Sequence, residues 1–280
     1  MTFVDPQHAF EASYPNKTAR FRHDLTKDPL FEIDRILKLI ASVPPKSIEY
    51  NSANISHDHD PSKMPSNGLS PEETVRNIAD INSWLVVMNI EQDPEYKAMM
   101  ERCLADVAPH VLEKTGPMNL IQGYIFVSSP HATTPFHMDP EHNILIQIRG
   151  VKTMYTYTAQ DYSMLPQEVH EAFHTTRLRN IGYKQEFEQY GTAHEMHPGD
   201  ALFVPLKAPH RVQVGDEPSV SLSITWRSRV SDDDAHLHKA NAMLRKMGAH
   251  PPMPGIAPTR DAAKIFAHKV YSKVQPAAGG

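Results

Sequence analysis

Residues 137–152 read His137-Met138-Asp139-Pro140-Glu141-His142-Asn143-Ile144-Leu145-Ile146-Gln147-Ile148-Arg149-Gly150-Val151-Lys152. The stretch opens on two metal-ligating residue types one position apart, then enters a β-rich run closed by a glycine. In an extended strand residues i and i+2 share a face, so His137 and Asp139 can grip one ion while Met138 points away. A third ligand must come from a partner strand. One β-rich block later, His210 ends the segment Pro205-Leu206-Lys207-Ala208-Pro209-His210. Two imidazoles and a carboxylate on one face of an octahedron leave three positions open, the arrangement non-haem iron(II) oxygenases use for a co-substrate and dioxygen. A structural zinc site is usually closed by four protein ligands, commonly cysteines, and this chain has one cysteine, Cys103. Because the chain holds 17 histidines, spacing carries the assignment and mere presence does not.

Outward from that stretch, short β-rich runs separated by Pro, Gly and Asp turns extend from Gly123 to Arg227, the pattern of a sandwich or barrel. Strands are predicted at 124–128, 143–149, 152–157, 201–205, 211–214 and 219–226. Up to Pro117 helices and loops dominate. Asp28-Pro29 opens a helix that carries Leu30, Ile33, Ile36, Leu37 and Ile40 on one face and stops at Pro44-Pro45. Ser70-Pro71-Glu72-Glu73 is a capping box, and Asp93-Pro94 opens a third helix running towards Pro109, with a buried strand at 84–90 between them. Beyond the β-rich block, Ser231 is expected to cap a helix with Asp232, Asp233 and Asp234 in its first turn, Arg245 and Lys246 in its last and Gly248 beyond. A second helix is predicted over 261–273, after the loop 251–255. The chain thus divides into a helical region 1–117, a β region 118–230 and C-terminal helices 231–280.

Hydrophobic content of 40% in 280 residues is ample for a buried core. A lone cysteine excludes an intramolecular disulfide and points to a reducing, cytoplasmic setting. No leader pattern and no run of 18 apolar residues is present, so no membrane span is expected. The net charge of −5, with basic residues scattered, argues against a nucleic-acid partner.

Gly199, Pro205 and His210 follow the cupin pattern of glycine, five residues, proline, four residues, histidine, and His137, Asp139, Asn143 and Gly150 stand where that superfamily has histidine, histidine, glutamate and glycine. Aspartate for the second histidine and asparagine for the glutamate turn a four-ligand cupin site into a facial triad with an added vacancy. The pattern resembles the JmjC branch, especially the asparaginyl hydroxylase acting on hypoxia-inducible factor, over roughly Tyr124 to Arg227. The resemblance implies a mainly β fold, a double-stranded β-helix or cupin/JmjC jelly roll flanked by N- and C-terminal helices. It also implies an Fe(II)- and 2-oxoglutarate-dependent dioxygenase in which His137, Asp139 and His210 hold the metal. Thr134, three residues before the first histidine, and Lys152, fifteen after it, fall on 2-oxoglutarate-binding positions, and Asn143 falls on a co-substrate-contacting asparagine. Thr225 stands where the family has a further asparagine.

Lys152 would supply the counter-charge for the far carboxylate of 2-oxoglutarate. Dioxygen is the other co-substrate, and the primary substrate stays open among a protein side chain, a peptide and a small metabolite, as does hydroxylation against demethylation. Two rival readings remain: a non-catalytic metal-binding cupin-like regulator or sensor, and a cupin enzyme without 2-oxoglutarate, which Thr225 keeps open. Leu237, Ala240, Leu244 and Met247 with Met243, followed by Ile265, Phe266 and Val270, form apolar helix faces. Hydroxylases of the resembled kind dimerise through C-terminal helices, so a homodimer is expected.

His57-Asp58-His59-Asp60 lies in a Ser, Asn and Pro-rich stretch and reads as a surface loop. His194 and His197 precede the turn Pro198-Gly199-Asp200 and read as exposed strand residues. Of the strand aromatics Tyr124, Tyr155 and Trp226, only Tyr124 is retained as a binding candidate. Cys103 reads as a small buried apolar residue.

Overall fold

The alternating pattern of the β-rich block becomes two facing sheets in the computed structural model, which describes residues 2–53, 66–176 and 181–274. In chain order the elements are β1 (Phe3–Val4), α1 (Pro6–Ser13), β2 (Ala19–His23), α2 (Ile33–Ser42), β3 (Ile48–Ser52), α3 (Pro71–Arg76), β4 (Ser83–Met88), α4 (Pro94–Ala105), α5 (Ala108–Thr115) and β5 (Asn119–Ser128). There follow β6 (Thr133–His137), β7 (His142–Arg149), β8 (Lys152–Thr156), α6 (Gln167–Thr176), β9 (Thr192–Met196), β10 (Asp200–Val204), β11 (His210–Val214), β12 (Ser219–Arg227), α7 (Arg229–Lys246) and α8 (Pro258–Val274).

The major sheet has the order β1-β2-β10-β7-β12-β5-β4-β3 and the minor sheet β6-β11-β8-β9, with neighbouring strands antiparallel. From β5 to β12 the chain passes back and forth between the sheets, so β5-β12-β7-β10 faces β6-β11-β8-β9. That is the double-stranded β-helix of a jelly roll.

The strand β12 shows how sequence assigns the faces. Val220, Leu222, Ile224 and Trp226 alternate with Ser219, Ser221, Ser223 and Thr225. The apolar set joins the main core beneath the N-terminal helices, with Phe10, Leu39 and Met100. Each such side chain contributes about 1.5–3 kcal/mol when fully buried, so these helices help to hold the barrel together. The hydroxyl set faces the minor sheet. Gly150 makes the β7–β8 turn at φ 70°, and a Cβ there would lie 2.3 Å from the Pro218 carbonyl oxygen. Only glycine fits that turn.

The structure departs from the sequence expectations at several ends. The region before Met118 supplies β1 to β4 as well as helices. Asp28 caps a short 3-10 turn at Pro29–Phe31, and α2 begins only at Ile33. The third predicted helix, α4, ends at Ala105, short of Pro109, and Pro109 lies in the first turn of a further helix, α5, absent from the sequence expectations. The cap of α7 is Ser228; Ser231 is its capping-box partner, because a serine at the third helical position can return the bond to the cap's backbone N–H. The helix ends as expected: the N–H of Gly248 donates to the Arg245 carbonyl and that of Ala249 to the Leu244 carbonyl. Among the described residues no helix is long and apolar enough to cross a membrane.

Candidate metal centre and co-substrate cavity

A cavity of about 230 Å³ lies between the sheets. His137 and His210 pair across β6 and β11, and their rings stand 4.2 Å apart. Nε2 of His137 is 3.9 Å, and Nε2 of His210 3.7 Å, from Oδ2 of Asp139. The three side chains offer ligand atoms all within 4.8 Å of one another, close enough to share one ion. Each histidine is oriented by its other nitrogen: Nδ1 of His137 donates to the Pro135 carbonyl at 2.7 Å, and Nδ1 of His210 to the Ala208 carbonyl at 2.9 Å. That pairing leaves both Nε2 lone pairs facing Asp139, the tautomer a metal requires. The donor set therefore fits a divalent metal of the facial-triad type.

The i, i+2 argument needs one correction, because β6 ends at His137 and Asp139 lies beyond it. The turn after the strand, held by the N–H of Lys207 donating to the Asp139 carbonyl at 3.0 Å, brings the carboxylate to the histidines. Met138 is fully buried, away from them.

Lys152 sits on the inner face of β8 and is buried; among the described residues its ammonium has one hydrogen bond, to Ser221 Oγ at 2.7 Å, and no carboxylate within 4 Å. Burial pushes this lysine down to about 7. Register places it on the face that carries His210: His210 pairs with Thr156, Val212 with Met154 and Val214 with Lys152. Thr134 reaches the same cavity through a bulge. His210 opposes His137, yet Val212 opposes Thr134, so three residues of β6 span two of β11. The extra residue restores Thr134 to the His137 face.

Asn143 Oδ1 accepts a hydrogen bond from Ser223 Oγ at 2.6 Å, and Thr225 is paired in register with Asn143. Tyr124 lines the cavity from β5 and donates to Gln122 Oε1 at 3.3 Å. All eight residues singled out in the sequence line this one cavity: Tyr124, Thr134, His137, Asp139, Asn143, Lys152, His210 and Thr225.

Sequence reasoning missed Ser221 and Ser223, although the Ser-x-Ser-x-Ser-x-Thr alternation of β12 was a readable sign of a polar inner face. It also missed Glu141, which is buried at the cavity edge and accepts from Arg227 Nη2 at 2.9 Å. Trp84, Val86 and Phe126 form an apolar wall on β4 and β5.

Trp226 belongs to the main core, and Tyr155 lies under the Arg211 guanidinium, 3.7 Å from its ring centre. His197 is exposed and bonded to Glu195, whereas His194 is half-buried with Nε2 2.9 Å from Thr156 Oγ1. Cys103 is buried, and burial pushes its thiol up to about 12, as suits a packing residue. His57 to Asp60 lies outside the described residues.

A family model described as a cupin-like domain matches residues 47–232. Among solved structures, that of Escherichia coli YcfD is similar at 14% identity, covering 99% of this chain and 70% of that one with a TM-score of 0.53. A second, of YcfD described as a ribosomal oxygenase from Escherichia coli in complex with cobalt and 2-oxoglutarate, gives 13% identity over 98% of this chain and 68% of that one, with a TM-score of 0.50. These structural likenesses establish the shared fold.

Proposed function

The chain belongs to the cupin-like domain family, and from that premise we propose that it is an iron(II)- and 2-oxoglutarate-dependent oxygenase, a hydroxylase of a substrate C–H bond. The observation that carries the reading is Lys152: a buried ammonium whose one partner among the described residues is a neutral hydroxyl, facing the same cavity as a His-Asp-His triad. An isolated buried charge is costly, and a dianionic co-substrate chelating the metal would supply its missing counter-charge. That YcfD holds cobalt and 2-oxoglutarate on the same fold supports the proposal.

His137, Asp139 and His210 would hold iron(II). When bound, iron supplies the redox chemistry by which dioxygen and 2-oxoglutarate become succinate and carbon dioxide, with one oxygen atom passing to the substrate. The protein's own part is placement. Lys152 and Ser221 bind the far carboxylate, while Thr134, Asn143, Tyr124 and Thr225 line the co-substrate's path. Trp84, Val86 and Phe126 keep water from the space left for the substrate group. A protein side chain, a peptide or a small metabolite would suit that space. The single, buried thiol supports a reducing cytoplasmic setting.

Anaerobic addition of iron(II) and then 2-oxoglutarate is expected to produce the visible charge-transfer band of a chelated 2-oxo acid. On admission of air, succinate should form slowly even without a primary substrate. An iron-loaded protein that gives neither band nor succinate would favour a cupin centre that does not use 2-oxoglutarate.

We further propose a homodimer formed through α7 and α8. Leu237 and Ala240 are buried within the chain, but Met247, Phe266 and Val270 are exposed, the first two by more than 70% (73% and 71%). Exposed apolar side chains of this size on neighbouring helices mark an interface. Light scattering behind size-exclusion chromatography is expected to give twice the chain mass for the wild type and the monomer mass for Phe266→Glu with Val270→Glu. A monomeric wild type at micromolar concentration refutes the dimer.

A further inference from the structure

Outside the cavity, a second polar cluster lies between α6, α7 and the turn that precedes β11. Its centre is Asp234, in the early part of α7 and 8% exposed in its side chain. Lys207 Nζ lies 2.9 Å from Asp234 Oδ1 and 2.7 Å from Oδ2. Nε2 of His174 stands 3.0 Å from Oδ2, Nε2 of Gln160 donates to Oδ1 at 3.0 Å, and Nε2 of His238 is 3.4 Å from Oδ1. Burial alone would raise the Asp234 carboxyl, but Lys207 and His174 hold it well below the usual carboxylate range. Burial lowers the His174 ring to about 4; burial lowers Lys207 too, with the Asp234 carboxylate opposing that shift, and the lysine is the cluster's positive partner.

A buried ion pair is weak evidence for stability, since its desolvation offsets most of the attraction. What distinguishes this pair is its place in the chain. Lys207 is fully buried and adopts φ 55°, the left-handed region a lysine rarely occupies. Its backbone N–H donates to the Asp139 carbonyl at 3.0 Å. The next residue, Ala208, provides the carbonyl that takes the His210 Nδ1 proton at 2.9 Å. One short segment therefore touches two of the three candidate ligands, and its charged side chain ends on a helix outside the barrel. Such unusual backbone conformations persist only where surrounding contacts over-determine them.

We propose that Lys207 and Asp234 form a positioning pair for the metal centre: through this one contact α7 holds the β10–β11 turn in the conformation that aims Asp139 and His210 at a common ion. The C-terminal helix is then part of the metal site's support, although none of its residues lines the cavity. The inference rests on reading His137, Asp139 and His210 as metal ligands.

The test uses cobalt(II) as the probe on the full chain, read by calorimetry and by the visible d–d spectrum, which reports ligand geometry independently of turnover. Asp234→Asn leaves a buried ammonium unpaired and risks misfolding. The deciding variant is therefore Lys207→Met with Asp234→Asn, which removes both charges, nearly keeps side-chain volume and leaves an amide oxygen to accept from His174 or Gln160. It is expected to melt within a few degrees of wild type, to bind cobalt about 10–100-fold more weakly, as losing an outer-shell partner does, and to shift the d–d bands. A folded double variant with wild-type affinity and an unchanged spectrum overturns the inference while the triad reading stands. If wild type takes up no cobalt that His210→Ala abolishes, the triad reading fails and the positioning pair falls with it.

Discussion

His137→Ala, Asp139→Ala and His210→Ala are each expected to lower iron(II) affinity by more than about 100-fold, because loss of an outer-shell partner alone lowers metal affinity about 10–100-fold. The three residues contribute one ligand atom each and stand on different anchors: β6, the turn after it and the start of β11. Deleting any one leaves two donors, too few to hold a divalent ion against water. Fold should survive, since His137 and Asp139 are part-exposed and the main core lies on the other side of the major sheet. Anaerobic equilibrium dialysis against iron(II), with circular dichroism as the control for folding, checks this. Retention of one iron per chain in all three variants would refute the centre.

Replacing Lys152 by methionine is expected to act in opposite directions on the free and the liganded protein. Without ligand the variant should melt higher than wild type, because among the described residues the buried ammonium has only Ser221 to solvate it. With iron and 2-oxoglutarate it should bind the co-substrate about 100-fold or more weakly, since breaking a buried charge pair costs about 3–5 kcal/mol. The sign of the pH dependence follows from the same group. Burial lowers the folded-state lysine to about 7, below its ordinary 10.5. Between those values the unfolded chain holds the proton and the folded chain does not, so this group makes the free protein more stable as pH rises through that window. Binding a carboxylate needs the ammonium, so 2-oxoglutarate affinity should fall as pH rises above 7, by up to about tenfold per unit. Titrations between pH 7 and 8.5 on iron-loaded wild type and Lys152→Met measure both effects. An affinity independent of pH in wild type, matched by the variant, would remove Lys152 from the co-substrate site.

Much of this site was legible in the chain because a strand's period of two is strict. The β-rich runs between turns announced β7, β8 and β12, and the resemblance singled out Lys152, which the period of β8 then carries to an inner face. What escaped the sequence depends on breaks in that period or on residues far apart along the chain. The bulge in β6 returns Thr134 to the His137 face although they stand three positions apart, an odd spacing that a regular strand sends outward. Asp139 reaches the site from a turn rather than a strand, held by a peptide that lies 68 residues further along, at Lys207. β2 and β9 are short and mixed in polarity; each is held as a strand by the neighbour it joins, β10 and β8. No local pattern could announce that Asp234, read as a first-turn acid of its helix, would be buried against Lys207.

The placement of β2 also covers one edge of the barrel's major sheet. It pairs with β10 from Asp200 to Phe203, and only the two-residue β1 lies beyond it. The family match begins at residue 47, past both strands. A chain shortened to that boundary would keep all eight cavity residues, lose the packing of Phe10 and Leu39 against the barrel, and bare the backbone donors and acceptors of β10, a buried strand then open to pairing with another copy. In this fold the first two dozen residues act as an edge guard as well as a part of the core, and their loss would open a route to self-association along β10.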